Sequence, residues 1–256
     1  MNHVLACRPG ALELPTPEAI VALRSIGIEN VELGAVGDED FAAEAKMAAE
    51  AGVRITSFST GCTLDDPERL AALERVITGA ASVGTKVIFV SFGAGKLTYE
   101  QGIEVLRGLA EKAAAAGVVL SMETHVPFGK TGDIARQTIE AVNSKGLGYN
   151  YDSASIYYYN PKGIDGIEEL KKALPYVTSV HLKESEKGEP ESFQFPAFGK
   201  GIVNFPEIFR LLDSRGFEGP YTMELEGPVI GELPLEGKLA MIQECMDYLR
   251  GIGAIE

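Results

Sequence analysis

Short apolar runs alternate with longer helical patterns eight times along this chain, and that rhythm restricts the fold more than any other feature. The runs are HVLAC, NVELG, VRITSF, KVIFVSF, VVLSME, LGYNYD, VTSVHLK and PYTMELE. Their length and their β-branched and aromatic content mark them as strands. Helical patterns, many Ala-rich, follow at residues 16–26, 40–51, 66–83, 98–116, 132–143, 164–174, 204–215 and 235–250. A helix between two strands returns the chain to its starting edge, so the strands lie parallel. Eight such units predict an α/β fold, a single (β/α)8 TIM barrel, which typically takes ~250 residues; this chain has 256. An open doubly wound sheet is the alternative, but no Gly-rich dinucleotide turn follows the first strand.

Punctuation agrees with the rhythm. Thr16, Asp66, Thr98 with Gln101, and Asn204 read as helix starts. Gly27, Gly52, Gly84, Gly117, Gly146 and Gly216 read as stops. No linker or low-complexity tract interrupts residues 1–256, so one domain is expected, with its active site at the C-terminal ends of strands five to eight. The longest aperiodic stretch, Glu184–Lys200, reads as a loop over that end, and Phe193, Phe195 and Phe198 within it could wall off water.

A net charge of −14 disfavours nucleic acid and anionic membranes as partners. No apolar run reaches the ~18 residues of a membrane span, and the first residues do not read as a signal peptide. Three scattered cysteines, Cys7, Cys62 and Cys245, imply neither a disulfide framework nor a metal cluster; Cys7 and Cys62 read as small buried hydrophobes, and a cytoplasmic setting is expected.

Four ionisable residues end four consecutive strand runs: Glu123, Asp152, His181 and Glu224. The first three recur at intervals of 29 residues and the last follows after 43. Strand side chains alternate faces, so Glu123 shares a face with Ser121, Asp152 with Gly148 and Asn150, His181 with Ser179, and Glu224 with Thr222. Those small or polar faces suit a barrel interior, with the ionisable groups converging at its mouth. Two Glu, one Asp and one His form a mixed O/N donor set for Mn²⁺, Mg²⁺, Co²⁺ or Zn²⁺. Glu226 competes with Glu224 but stands nearer the following loop. His125 and Lys183 each follow a site residue by two positions and are candidates for substrate binding, as is Glu32 on the second strand; Arg8 is a further candidate at the mouth. The Tyr157–Tyr159 run offers apolar faces for a sugar or for a homo-oligomer contact, and both readings stand. Lys187 and Lys200 read as solvated surface charges.

The ordered set METH, TGD, YDSAS, VHLKES, FGKGIVNFPEIFRLLDSRGFEGP and YTMELEG resembles the xylose isomerase-like TIM-barrel superfamily, in its sugar phosphate isomerase/epimerase branch. The resemblance covers most of the second half. It implies one divalent metal ion, Mn²⁺ first, held by Glu123, Asp152, His181 and Glu224. It also implies that Glu123 and Glu224 are catalytic and move a proton beside a carbonyl of a ketose or keto-sugar. Ser155 stands where ketose 3-epimerases carry His, and with other departures this keeps dehydration or β-elimination as the alternative. An endonuclease IV-like phosphodiesterase is more distant, because it needs a His-rich site and this chain has three His. A non-catalytic sugar-binding barrel is equally distant.

Overall fold

The computed structural model describes residues 3–256. Eight parallel strands close into a barrel in chain order: β1 (Leu5–Cys7), β2 (Asn30–Gly34), β3 (Arg54–Thr63), β4 (Val87–Gly93), β5 (Val119–Glu123), β6 (Leu147–Asp152), β7 (Val177–Leu182) and β8 (Tyr221–Met223). Closure is made by β1, which pairs in parallel with both β2 and β8. The helices around it are α1 (Thr16–Ser25), α2 (Phe41–Glu50), α3 (Pro67–Ser82), α4 (Tyr99–Ala116), α5 (Gly132–Val142), α6 (Ser155–Tyr158), α7 (Gly166–Ala173), α8 (Phe205–Asp213), α9 (Pro228–Gly231) and α10 (Leu235–Gly251). Only α6 and α9, each four residues long, lack a counterpart among the expected helices. Among the described residues, no helix is long and apolar enough to cross a membrane.

Helix α4 shows how the sequence writes one unit. The Thr98 hydroxyl accepts the Gln101 N–H, and the Gln101 side chain accepts the Thr98 N–H, so two otherwise unpaired donors are satisfied. Ile103, Leu106, Leu109, Ala110 and Ala113 recur at helical spacing and are buried against the barrel. Each large side chain in that stripe contributes ~1.5–3 kcal/mol. Gly117 ends the helix at φ 74°, a left-handed conformation that suits glycine.

Two expected signals act differently. Helix α1 begins at Thr16 itself, and no side chain caps it. Helix α5 is closed by Asn143 at φ 52°, not by Gly146. Gly146 is instead needed for close packing, since a Cβ there would lie 1.9 Å from the Ala110 carbonyl oxygen.

Alternation on the strands divides the core in two. Leu120, Met122, Tyr149, Tyr151, Val180, Leu182, Tyr221 and Met223 are buried and belong to the apolar core shared with the helices. Ser121 and Ser179 meet inside the barrel at 2.7 Å although β5 and β7 are not neighbours, and Asn150 donates to the same Ser179 hydroxyl at 2.7 Å. All three cysteines are free and buried.

Candidate metal centre and active site

Strand register assembles the site. Asp152 pairs with His181 across β6 and β7, and His181 pairs with Thr222 across β7 and β8. Strands β7 and β8 stop earlier than their apolar runs suggest, so Lys183 and Glu224 leave the ladder one residue past its end.

Asp152 is fully buried, and its Oδ1 accepts the N–H groups of Ala154 at 2.9 Å and Ser155 at 2.8 Å. Its Oδ2 accepts no hydrogen bond, although Lys183 Nζ is 3.1 Å away. His181 Nδ1 lies 3.1 Å from Glu224 Oε2, and its Nε2 lies 3.0 Å from Glu32 Oε1. The His181 ring stacks on Phe89 at 4.3 Å between centroids. Arg8 binds Glu224 Oε1, and its Nε is 3.5 Å from Glu32 Oε1. One ligand atom from each of Asp152, His181 and Glu224 falls within 4.8 Å of the others.

This donor set fits a divalent cation. It combines two carboxylates with an imidazole, and Asp152 supplies a buried oxygen that accepts no hydrogen bond and faces only the Lys183 ammonium. Glu32 completes the arrangement from behind. A carboxylate on Nε2 orients the imidazole and turns its Nδ1 toward Glu224. Ser57 in turn holds Glu32 Oε2 at 2.7 Å.

The charges are strongly coupled. Burial disfavours the His181 cation, but Glu224 and Glu32 outweigh it and push its pKa up to about 10. Burial also opposes the Glu224 anion, yet Lys183, His181 and Arg8 hold it well below the usual carboxylate range. Glu123 differs: burial and the nearby Glu224 and Asp152 charges push it up to about 7, against the Ser91 hydroxyl.

Glu123 ends β5 and stands outside the three-residue donor group. It lines a cleft of about 450 Å³ together with Arg8, Ser59, Arg69, Ser91 and Glu224. A second cleft of about 300 Å³ lies on the other side of Arg8, bordered by Glu13, Glu224 and Glu226.

The remaining expected residues fall in distinct places. Lys183 is brought into the site, with Nζ 2.6 Å from Glu224 Oε2 and 2.7 Å from Glu226 Oε1. Glu32 is also brought in, but it is 1% exposed and turned onto His181, so it positions that ring instead of lining the cleft. His125 lies outside the three-residue donor group. Strand β5 ends before it, and its Nδ1 meets the Val126 carbonyl at 2.6 Å while its ring packs on Tyr159. In the long loop, buried Phe195 reaches the site, with its ring 5.1 Å from Lys183 Nζ. Phe193 is 47% exposed and packs on Tyr158 at the rim, whereas Phe198 turns into the core against Phe205. Lys187 and Lys200 pair with Glu186 and Glu244 on the surface.

Glu184 went unnoticed in the sequence although it sits in VHLKES. It is fully buried and accepts N–H groups from Ser185, Gly199 and Val203, which ties both ends of the loop together. Phe89 was also missed; its place between Val87 and Ser91 on one strand face was the available signal.

Known proteins share this architecture. The family model described as xylose isomerase-like TIM barrel matches residues 20–251. L-ribulose-5-phosphate 3-epimerase UlaE of Salmonella paratyphi B is 27% identical over 217 residues, covering 73% of this chain and 71% of that protein. A xylose isomerase domain protein from Planctomyces limnophilus superposes with a TM-score of 0.78 at 22% identity, covering 97% of this chain and 95% of that one. A xylose isomerase-like TIM barrel protein from Mycobacterium smegmatis in complex with magnesium superposes with a TM-score of 0.71 at 21% identity, over 95% of this chain and 97% of that one. With a family model spanning nearly the whole barrel, the chain belongs to the xylose isomerase-like TIM barrel family.

Proposed function

We propose that this protein is a sugar isomerase/epimerase that uses one divalent metal ion and moves a proton at the carbon beside a ketose carbonyl. The observation that carries this is the placement of Glu123 and Glu224 on one cleft, beside a buried donor group of Asp152, His181 and Glu224. The Salmonella relative's epimerase activity and the magnesium in the mycobacterial neighbour support it.

Asp152, His181 and Glu224 would hold the ion, with Glu123 joining them as the fourth expected ligand. When bound, a divalent cation draws electrons from a carbonyl and its neighbouring hydroxyl and so acidifies the C–H between them. The protein's own groups do the rest. Glu224, kept ionised by Lys183, His181 and Arg8, removes the proton. Glu123, on the same cleft, supplies the proton to the opposite face. The C–H electron pair passes into an enediolate and returns to carbon on reprotonation, so the product is the epimer with no net change in atoms. Reprotonation at the neighbouring carbon gives the isomer. Phe195 covers Lys183 and limits water around the ionised groups.

The test is metal analysis of the purified protein, then incubation with ketoses in D₂O. Deuterium should enter at the carbon beside the carbonyl, and Glu123→Gln and Glu224→Gln should each abolish turnover. Full turnover in both variants, or full activity after exhaustive chelation, refutes the proposal. Release of water in place of an epimer would assign the same proton abstraction to a lyase.

A further inference from the structure

Among the described residues, Arg69 is the arginine that the fold leaves without a partner. Among the described residues, every other arginine reaches a carboxylate, carbonyl or amide oxygen. The Arg69 guanidinium makes no ion pair and no hydrogen bond; only its backbone N–H is engaged, by Asp66. The residue is exposed in the first turn of α3, and it lines the same 450 Å³ cleft as Glu123 and Glu224.

Charge gives the mouth a direction. The cleft on the β8 side carries Glu13, Glu224 and Glu226 around Arg8. The cleft on the β3 and β4 side balances Glu123 and Glu224 with Arg8 and Arg69 and adds the hydroxyls of Ser59, Thr60 and Ser91. Arg8 is already paired with Glu224 and Glu32, so among the described residues Arg69 is the unpaired cation lining that cleft. In a chain of net charge −14, the general surface repels anions. An unpaired guanidinium beside the reacting carboxylates is the local exception. Its planar fork of N–H donors matches a phosphate or a carboxylate.

We propose that Arg69 binds an anionic group, a phosphate monoester or a carboxylate, on the sugar carbon remote from the reacting centre. Arg69 thereby selects anionic sugars over neutral ones, with Thr60 and Ser91 offering hydroxyls along the same wall. The identity of the ligand as a sugar rests on the reaction proposed above; the anion contact does not.

Two measurements separate those claims. The first compares kcat/KM for a neutral ketose, the matching ketose 5-phosphate and a hexulosonate, in the wild type, Arg69→Met, Arg69→Lys and the control Arg107→Met. The second is calorimetric titration of the same metal-loaded proteins with inorganic phosphate, which needs no turnover. Arg69→Met should lower the anionic-to-neutral ratio of kcat/KM by about 10- to 100-fold, chiefly through KM. Arg69→Lys should fall between, because it keeps the charge and loses the fork, and Arg107→Met should leave the ratio alone. Phosphate affinity should drop by at least about tenfold in Arg69→Met. Whichever anionic sugar shows the dependence identifies the group. Turnover with an unmoved ratio and unmoved phosphate affinity overturns the anion site and leaves the reaction standing. Loss of phosphate affinity in Arg69→Met, with no exchange on any ketose, keeps the anion site and overturns the reaction.

Discussion

Replacing Glu32 by Gln removes one negative charge from behind His181 with almost no change in volume. Glu32 Oε1 lies 3.0 Å from His181 Nε2, and both side chains are 0% exposed, so water cannot replace the lost charge. Ser57 can still donate to the amide oxygen, and Arg8 keeps Glu224, so the backbone has no reason to move. A hydrogen bond to a charged group is worth ~1.5–3 kcal/mol, and ~1.4 kcal/mol is a factor of ten, so divalent-metal affinity should fall by roughly 10- to 100-fold. Loss of other carboxylates that support metal-bound histidines has effects of about that size. Calorimetric titration of chelated protein with Mn²⁺ reads the change directly, and circular dichroism confirms that the variant is folded. A folded Glu32→Gln protein that binds Mn²⁺ within about twofold of the wild type would show that His181 needs no buried carboxylate to serve as a ligand.

Three further outcomes follow from the same geometry. Lys183 Nζ touches the Asp152 and Glu224 oxygens that a cation would use, so Lys183→Met should tighten Mn²⁺ binding while lowering the Tm of chelated protein, because removing one partner of a buried ion pair costs ~3–5 kcal/mol; weaker Mn²⁺ binding would mean that the ammonium orders the ligands instead of competing for them. His181 is held protonated with a pKa of about 10, and a metal must displace that proton. Mn²⁺ affinity should therefore rise by roughly tenfold per pH unit between about pH 6 and 8, and a flat profile would exclude His181 as a ligand. Gly132→Ala would place a Cβ 1.8 Å from the Glu169 carbonyl oxygen, forcing α5 off α7; the expected loss is ~1–3 kcal/mol, read as a Tm lower by roughly 2–10 °C, and an unchanged Tm would show that the two helices shift freely.

Much of this protein is legible without coordinates because its strongest signals are local. Apolar runs of five to seven residues, Asp66 and Asn204 at helix starts and the Thr98–Gln101 box each act within a few residues, and the structure shows those side chains making the expected caps. The placement of Asp152, His181 and Glu224 at adjacent strand ends follows from the period-two alternation of strands and from the order of the units. Boundaries were less legible. A strand ends where pairing with its neighbour ends, which is why His125 left the β5 ladder and took a loop position on Tyr159.

The sequence by itself determined the eight-unit barrel and the strand-end positions of Glu123, Asp152, His181 and Glu224, since both depend on periodicity and on neighbours in chain order. Only the tertiary structure decided what stands behind and beside those donors. Glu32 meets His181 across 149 residues and Arg8 meets Glu224 across 216, because closing the sheet brings β2 within three strands of β7 and β1 beside β8. The buried carboxylate that orients His181 and the Arg8 guanidinium on Glu224 arise from that closure. Contacts across a barrel depend on its curvature and side-chain reach, and neither is written in any local pattern.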